Sequence, residues 1–177
     1  IPFAALGKEL RVDYAVIKHC SDTPEHTLGV DYSKYAALDG LLKEAETYSD
    51  EDYKCVVKWT KIKANGGRNY QRCYGPPFIL QISGSGLVAP CGGLFNDKFR
   101  KFHIGNIVEQ SFKEMVTSDR YWEVVNHLAS DQFNAQKTCD SLCLQHLTNE
   151  ALNAYKNEGM KFPDKSDEPM PAHGSFI

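Results

Sequence analysis

Residues 78–91 read Phe78-Ile79-Leu80-Gln81-Ile82-Ser83-Gly84-Ser85-Gly86-Leu87-Val88-Ala89-Pro90-Cys91. Two short apolar runs flank Ser83-Gly84-Ser85-Gly86, and glycine set among small polar residues between such runs is a hairpin signal. The stretch therefore predicts strands over 78–82 and 87–89. Cys73 and Cys91 bracket it in the pattern Cys73-x12-Gly86-x4-Cys91. A hairpin of that length returns its ends to one edge, so both thiols can face one point.

Downstream, His103-Ile104-Gly105-Asn106 reads as a turn, with His103 a packing or supporting residue. Ser111-Phe112-Lys113-Glu114 fits a capping box, and Ser118-Asp119 is expected to open a second helix carrying Tyr121, Trp122, Val125 and Leu128. Phe112, Tyr121 and Trp122 are expected in the core. A last helix is predicted from near residue 142 to residue 155. At its start Cys139 and Cys143 are spaced Cys-x3-Cys, and side chains at i and i+4 of a helix share a face. Four thiolates from a hairpin and a helix start make a four-cysteine site, suited to an iron–sulfur cluster or to structural zinc. Spacing alone does not separate the two metals, and a zinc set could take His146 in place of Cys73.

Upstream, residues 12–17 (Val-Asp-Tyr-Ala-Val-Ile) read as a strand ending in Lys18-His19-Cys20-Ser21-Asp22. From about Ser33 to Tyr48, apolar residues at three- and four-residue steps predict an amphipathic helix. Residues 53–62 alternate and predict a second strand, with Cys55 as a small buried residue. Strand, helix, strand suggests a βαβ unit with parallel strands. The break Ala64-Asn65-Gly66-Gly67-Arg68-Asn69 marks a boundary. The expected organisation is 1–64, 65–158, and an extended tail over 159–177 that holds Pro163, Pro169 and Pro171.

Within 177 residues, 42% are hydrophobic and 24% charged, which excludes whole-chain disorder. Twenty basic against 23 acidic residues leave a net charge of −3, so neither nucleic acid nor an anionic membrane is an expected partner. No apolar run is long enough to span a bilayer. Six cysteines without an export signal point to metal or catalysis in a reducing cytoplasm rather than to disulfides.

The ordered set Cys73-x12-Gly86-x4-Cys91, Ile104-Gly105-Asn106-Ile107, Ser111-Phe112-Lys113-Glu114-Met115 and Cys139-x3-Cys143 resembles the SPASM and Twitch domains. These follow the catalytic barrel in many radical S-adenosylmethionine enzymes. The resemblance covers about residues 70–157. It implies an α/β (α+β) chain: the last βα units of a partial TIM-type barrel, then a small hairpin-plus-helices subdomain. It also implies that Cys73, Cys91, Cys139 and Cys143 hold an auxiliary [4Fe–4S] cluster serving electron transfer, with a ferredoxin- or flavodoxin-like donor or acceptor.

The chain lacks the Cys-x2-Cys-x5-Cys run for a second auxiliary cluster, so the one-cluster Twitch form fits better, and with it a small polar substrate rather than a peptide. It also lacks the Cys-x3-Cys-x2-Cys loop for the catalytic cluster. Cys139-x3-Cys143-x2-His146 fails at its third position. S-adenosylmethionine and a second [4Fe–4S] cluster are thus expected in an N-terminal part outside this chain, whose start at Ile1 reads as a fragment boundary or a processed end. Lys18, His19, Asp22 and Cys20, at the C-terminal end of a barrel-type strand, are candidates for substrate or cofactor contact, as are Arg68 and Tyr70. The competing class is a non-catalytic zinc module; a stand-alone electron carrier would have no use for the βαβ segment.

Overall fold

The computed structural model describes residues 1–22, 27–64, 67–139 and 143–161. The chain divides into two compact units at the Gly66–Gly67 step, and its helix and strand content is mixed, of the α+β kind. Among the described residues no helix is long and apolar enough to cross a membrane. Beyond Lys161 the expected tail lies outside the described residues.

The first unit opens with a helix that sequence periodicity did not reveal, α1 (Pro2–Glu9), which starts on a proline suited to its first turn. Strand β1 (Tyr14–Ile17) pairs in parallel with β2 (Lys54–Val57), Ala15 opposite Cys55. The expected βαβ unit is present. Its crossover is a 3₁₀ segment, Tyr32–Leu38, followed by α2 (Asp39–Glu46), rather than one continuous helix. The Asp31 carboxylate accepts from the Ser33 N–H at 3.1 Å and starts that 3₁₀ turn.

The second strand is shorter than residues 53–62. Its ladder with β1 runs on to the Lys58 N–H, which donates to the Ile17 carbonyl at 2.8 Å, while on the opposite edge the Glu46 carboxylate accepts from the Val57 N–H at 3.1 Å and from the Trp59 indole N–H at 3.0 Å. The Lys58 carbonyl then accepts from the Lys61 and Ile62 N–H groups, and α3 (Trp59–Ala64) begins. Alternation across 53–62 was therefore strand for four residues and helix thereafter.

In the second unit β3 (Gln81–Ile82) and β4 (Leu87–Ala89) form the expected hairpin, Ile82 opposite Val88. Gly86 sits at φ +83°, a conformation costly for any residue with a Cβ. Residues 78–80 turn instead of pairing, with the Phe78 N–H bonded to the Gly75 carbonyl. The Gly-Asn pair expected to be a turn is a third antiparallel strand, β5 (Gly105–Asn106).

The capping box is present: the Ser111 hydroxyl accepts from the Glu114 N–H, and the Glu114 carboxylate accepts from the Ser111 N–H, so α4 (Phe112–Thr117) starts there. Ser118 closes α4 and caps α5 (Asp119–Leu128). The buried face of α5 is Tyr121, Val124, Val125 and Leu128, an i, i+3, i+4, i+7 stripe. Trp122 falls a hundred degrees off that stripe and is half exposed; so is Phe112, in the first turn of α4. Neither joins the core as expected. The short α6 (Ala135–Thr138) precedes Cys139, and α7 (His146–Glu158) ends at Gly159, φ +70°.

Candidate metal centre

Three separate loops deliver the four cysteines. Cys73 lies on the strand-free segment before the hairpin and is fixed by its N–H, which donates to the Leu128 carbonyl at the end of α5 at 2.9 Å. Cys91 follows β4 and begins a 3₁₀ turn, Gly92–Leu94. The N–H groups of Gly93 and Leu94 turn back toward its sulfur and favour the thiolate. Cys139 ends α6 with its N–H bonded to the Ala135 carbonyl at 3.0 Å. Cys143 precedes α7, its carbonyl accepting from the His146 N–H at 3.3 Å. Cys139 and Cys143 thus do not share a helical face. One closes a helix, the other precedes the next, and residues 140–142 between them lie outside the described residues.

All four thiols are free and line one small, largely apolar cavity together with Leu94, Thr138 and Gln145. Burial pushes the Cys73 thiol up to about 11 and Cys91 up to about 12, and raises Cys139 as well; the other thiolates add to each shift. Arg68 opposes this for Cys73 and Cys139. The physical meaning is direct: four thiolates cannot share this hole unless something strongly positive sits among them. Soft sulfur donors select zinc or iron–sulfur centres. Among the described residues, no group of three or more His, Cys, Asp or Glu side chains is arranged as the ligand set of a single metal ion.

His146, the alternative zinc ligand, has other partners at both ring nitrogens. Nδ1 meets the Tyr70 hydroxyl at 3.2 Å and Nε2 the Glu150 carboxylate at 3.6 Å. The Tyr70 hydroxyl also lies 3.8 Å from the Cys143 sulfur, and burial beside that thiol raises its pKa.

Sequence reasoning missed a row of buried amides on α7 and at its cap. The Gln145 side-chain amide donates to the Ile79 and Pro90 carbonyls at 2.5 and 2.7 Å, clamping both ends of the hairpin. Its oxygen leaves no room at Gly75, where a Cβ would lie 2.5 Å away. The Asn149 oxygen accepts from the Tyr74 and Gly75 N–H groups, and Asn153 donates to the Arg72 carbonyl. The available signal was Gln145-x3-Asn149-x3-Asn153, three amides on one helical face.

The remaining candidates divide between the units. Arg68 lies in the second, near enough to the thiols to act on their charge. Lys18, His19 and Asp22 lie in the first, just past β1. Lys18 is exposed, whereas His19 and Asp22 are buried. His19 packs edge-on against Tyr32 at 5.1 Å, and the Asp22 carboxylate accepts from the Leu28 and Val30 N–H groups. Tyr32 and Tyr35 accept from the Asp22 and Cys20 N–H groups. With Trp59 and Ile62 they line a cavity of about 500 Å³ that the sequence did not disclose. Cys20 is exposed and Cys55 buried in its strand, as anticipated for the latter.

A hairpin, a third strand and the helices around them bring four cysteines to one cavity in a small cysteine-lined domain. Residues 73–144 match the family model of SPASM, an iron–sulfur cluster-binding domain. No curated protein and no solved structure matches the chain.

Proposed function

We propose that Cys73, Cys91, Cys139 and Cys143 together hold one auxiliary [4Fe–4S] cluster, the Twitch-like arrangement, in the C-terminal part of a radical S-adenosylmethionine enzyme of the cytoplasm. The observation that carries this is four free thiols from three loops lining one cavity, within the segment that matches the iron–sulfur domain. When bound, such a cluster supplies one-electron transfer to or from a substrate radical.

The chain's own residues set the conditions for it. The apolar wall at Leu94 lines the sulfurs, and the Gly93 and Leu94 N–H groups partly offset the cost of burying a thiolate at Cys91. Gln145 ties the two cysteine-bearing ends of the hairpin together, so that Cys73 and Cys91 are presented as a pair. Four protein ligands leave no open iron, which favours electron transfer, with a ferredoxin- or flavodoxin-like partner, over direct substrate binding.

In this reading the first unit is the end of a partial barrel. Among the described residues its parallel sheet has only two strands, and parallel sheets are ordinarily covered on both faces and flanked by further strands. S-adenosylmethionine, the catalytic cluster and a small polar substrate would then engage parts of the enzyme beyond these residues.

Anaerobic reconstitution tests the reading. The expected product is brown, absorbs broadly in the visible, and carries about four irons and four sulfides per chain. Cys91→Ala or Cys139→Ala abolishes the colour, whereas Cys55→Ala leaves it. A colourless protein with one tightly bound zinc would sink the proposal and favour a structural zinc module.

A further inference from the structure

Asn149 is fully buried, and both ends of its side-chain amide are engaged. Its oxygen accepts from two backbone donors, the Tyr74 N–H at 2.6 Å and the Gly75 N–H at 3.0 Å. Two N–H groups facing the same end of an amide fix which end is oxygen, because a flipped amide would set donor against donor. The nitrogen must therefore point the other way, and there it meets the Cys73 sulfur at 3.4 Å. Its backbone is held as well: the Asn149 N–H donates to the Gln145 carbonyl, and the Asn153 amide donates to the Asn149 carbonyl, both at 2.8 Å. The donor is aimed by four bonds that do not involve sulfur.

We propose that Asn149 is a positioning and tuning residue, whose amide N–H donates to the Cys73 thiolate and raises the reduction potential of the cluster held there. The inference rests on the cluster reading above. A one-electron reduction adds negative charge to the iron–sulfur core and its ligands, and a hydrogen bond to a ligand sulfur stabilises the more negative form. In a buried site that donor cannot be replaced by water. The Gly75 backbone N–H also turns toward the Cys73 sulfur and is present in every variant compared below, whereas the neighbouring side-chain amides donate elsewhere. Asn153 bonds only to carbonyls, and the Gln145 amide nitrogen likewise. Asn149 is thus separable from the rest of its row.

Asn149→Asp keeps the acceptor for Tyr74 and Gly75 and replaces the donor with a carboxylate oxygen, while Asn153→Ala removes a scaffold bond and leaves the donor. The experiment is an anaerobic, mediated potentiometric titration of the reconstituted full chain, followed by visible absorption and electron paramagnetic resonance. Asn149→Asp should load four irons and be about tenfold harder to reduce, equivalent to about −59 mV for a one-electron couple. Asn153→Ala should lower the thermal midpoint and leave the potential unchanged.

A loaded Asn149→Asp variant with wild-type potential overturns the proposal and leaves the cluster reading standing. Equal potential shifts in both variants also overturn it, since general loosening would then be the cause. If neither Asn149→Asp nor Asn149→Ser assembles a cluster where Asn153→Ala does, the amide is a folding element and the tuning role falls. A wild-type chain that binds zinc and no iron overturns both readings at once, before any variant is compared.

Discussion

The two units differ in how they bury apolar surface. The second closes around twelve residues, among them Tyr70, Phe102, Met115, Leu128 and Phe133, with Cys73, Cys91 and Cys139 packed against that core. The first gathers five, and three of them are alanines: Ala4, Ala15 and Ala45, beside Tyr53 and Cys55. Meanwhile Phe3, Leu6, Leu10 and Leu41 of the first unit stand exposed. A core made of methyl groups contributes little, since burial scales with apolar area. Both units leave large apolar side chains exposed, Phe78, Val108 and Leu147 among them in the second, so the lesson lies in the cores: the cysteine site stands on the half whose core is built from large side chains.

The contrast can be broken most forcefully at Leu128. Leu128→Ala should cost roughly 4–5 kcal/mol, because the residue is fully enclosed in the second core, while Leu42→Ala, at the edge of burial in the first, should fall near the low end at about 2 kcal/mol. The chain's two tryptophans, Trp59 and Trp122, lie one in each unit, so single-tryptophan variants report each unit in urea. Equal losses would erase the distinction.

Alkaline pH is the next lever, applied to metal-free protein. Cys73 and Cys91 have folded-state values of about 11 and about 12, against an ordinary 9.0. A raised thiol pKa means the folded form holds protons that the unfolded chain gives up. The stabilisation is therefore complete below pH 9 and is lost as pH rises toward 11 and 12. Thermal melts between pH 8 and 11 should show a falling midpoint in the Trp122 signal. Loading the cluster, which takes thiolates, should abolish that slope.

Glu46→Ala probes the first unit. Its carboxylate accepts from the Val57 N–H and the Trp59 indole, so removal should cost about 1–3 kcal/mol and shift Trp59 emission. An unchanged spectrum would mean that the Trp59 indole is held by other contacts. The smallest effect belongs to Leu41→Ala, expected within about 0.5 kcal/mol in this chain because the side chain is half exposed. A loss above about 2 kcal/mol would show Leu41 to be covered, and the comparison would have to be redrawn.

The hairpin, the capping box and the cap at Ser118 were legible because each is decided within a few residues, by turn glycines or by a side chain bonding its own backbone. The parallel pairing of β1 with β2 was legible from element order. What escaped was fixed at a distance. The Val57 N–H, which faces away from β1, is satisfied by Glu46, eleven residues upstream. The third strand at Gly105–Asn106 has almost no side chain to betray it and is defined by the Val88 register. Four cysteines in order pointed to one site, yet the helical-face argument for Cys139 and Cys143 was mistaken, since a helix ends at one and begins after the other. The amide row was invisible because asparagine and glutamine usually mark solvent, and only burial reveals them as partners of the 72–75 segment.

That row also sets a timetable. Cys73 meets Asn149 across 76 positions, and Arg72 meets Asn153 across 81. Contacts so far apart in the chain are slow to form, because a long loop must close first. During synthesis the hairpin and its first two cysteines leave the ribosome well before α7 exists, so they emerge as exposed thiols with no wall behind them. The cavity can close only when the C-terminal helix has been made and has docked. Filling the site therefore has to wait for α7 to be made and to dock, and truncation anywhere in α7 should leave a chain with all four cysteines and nowhere to keep what they bind.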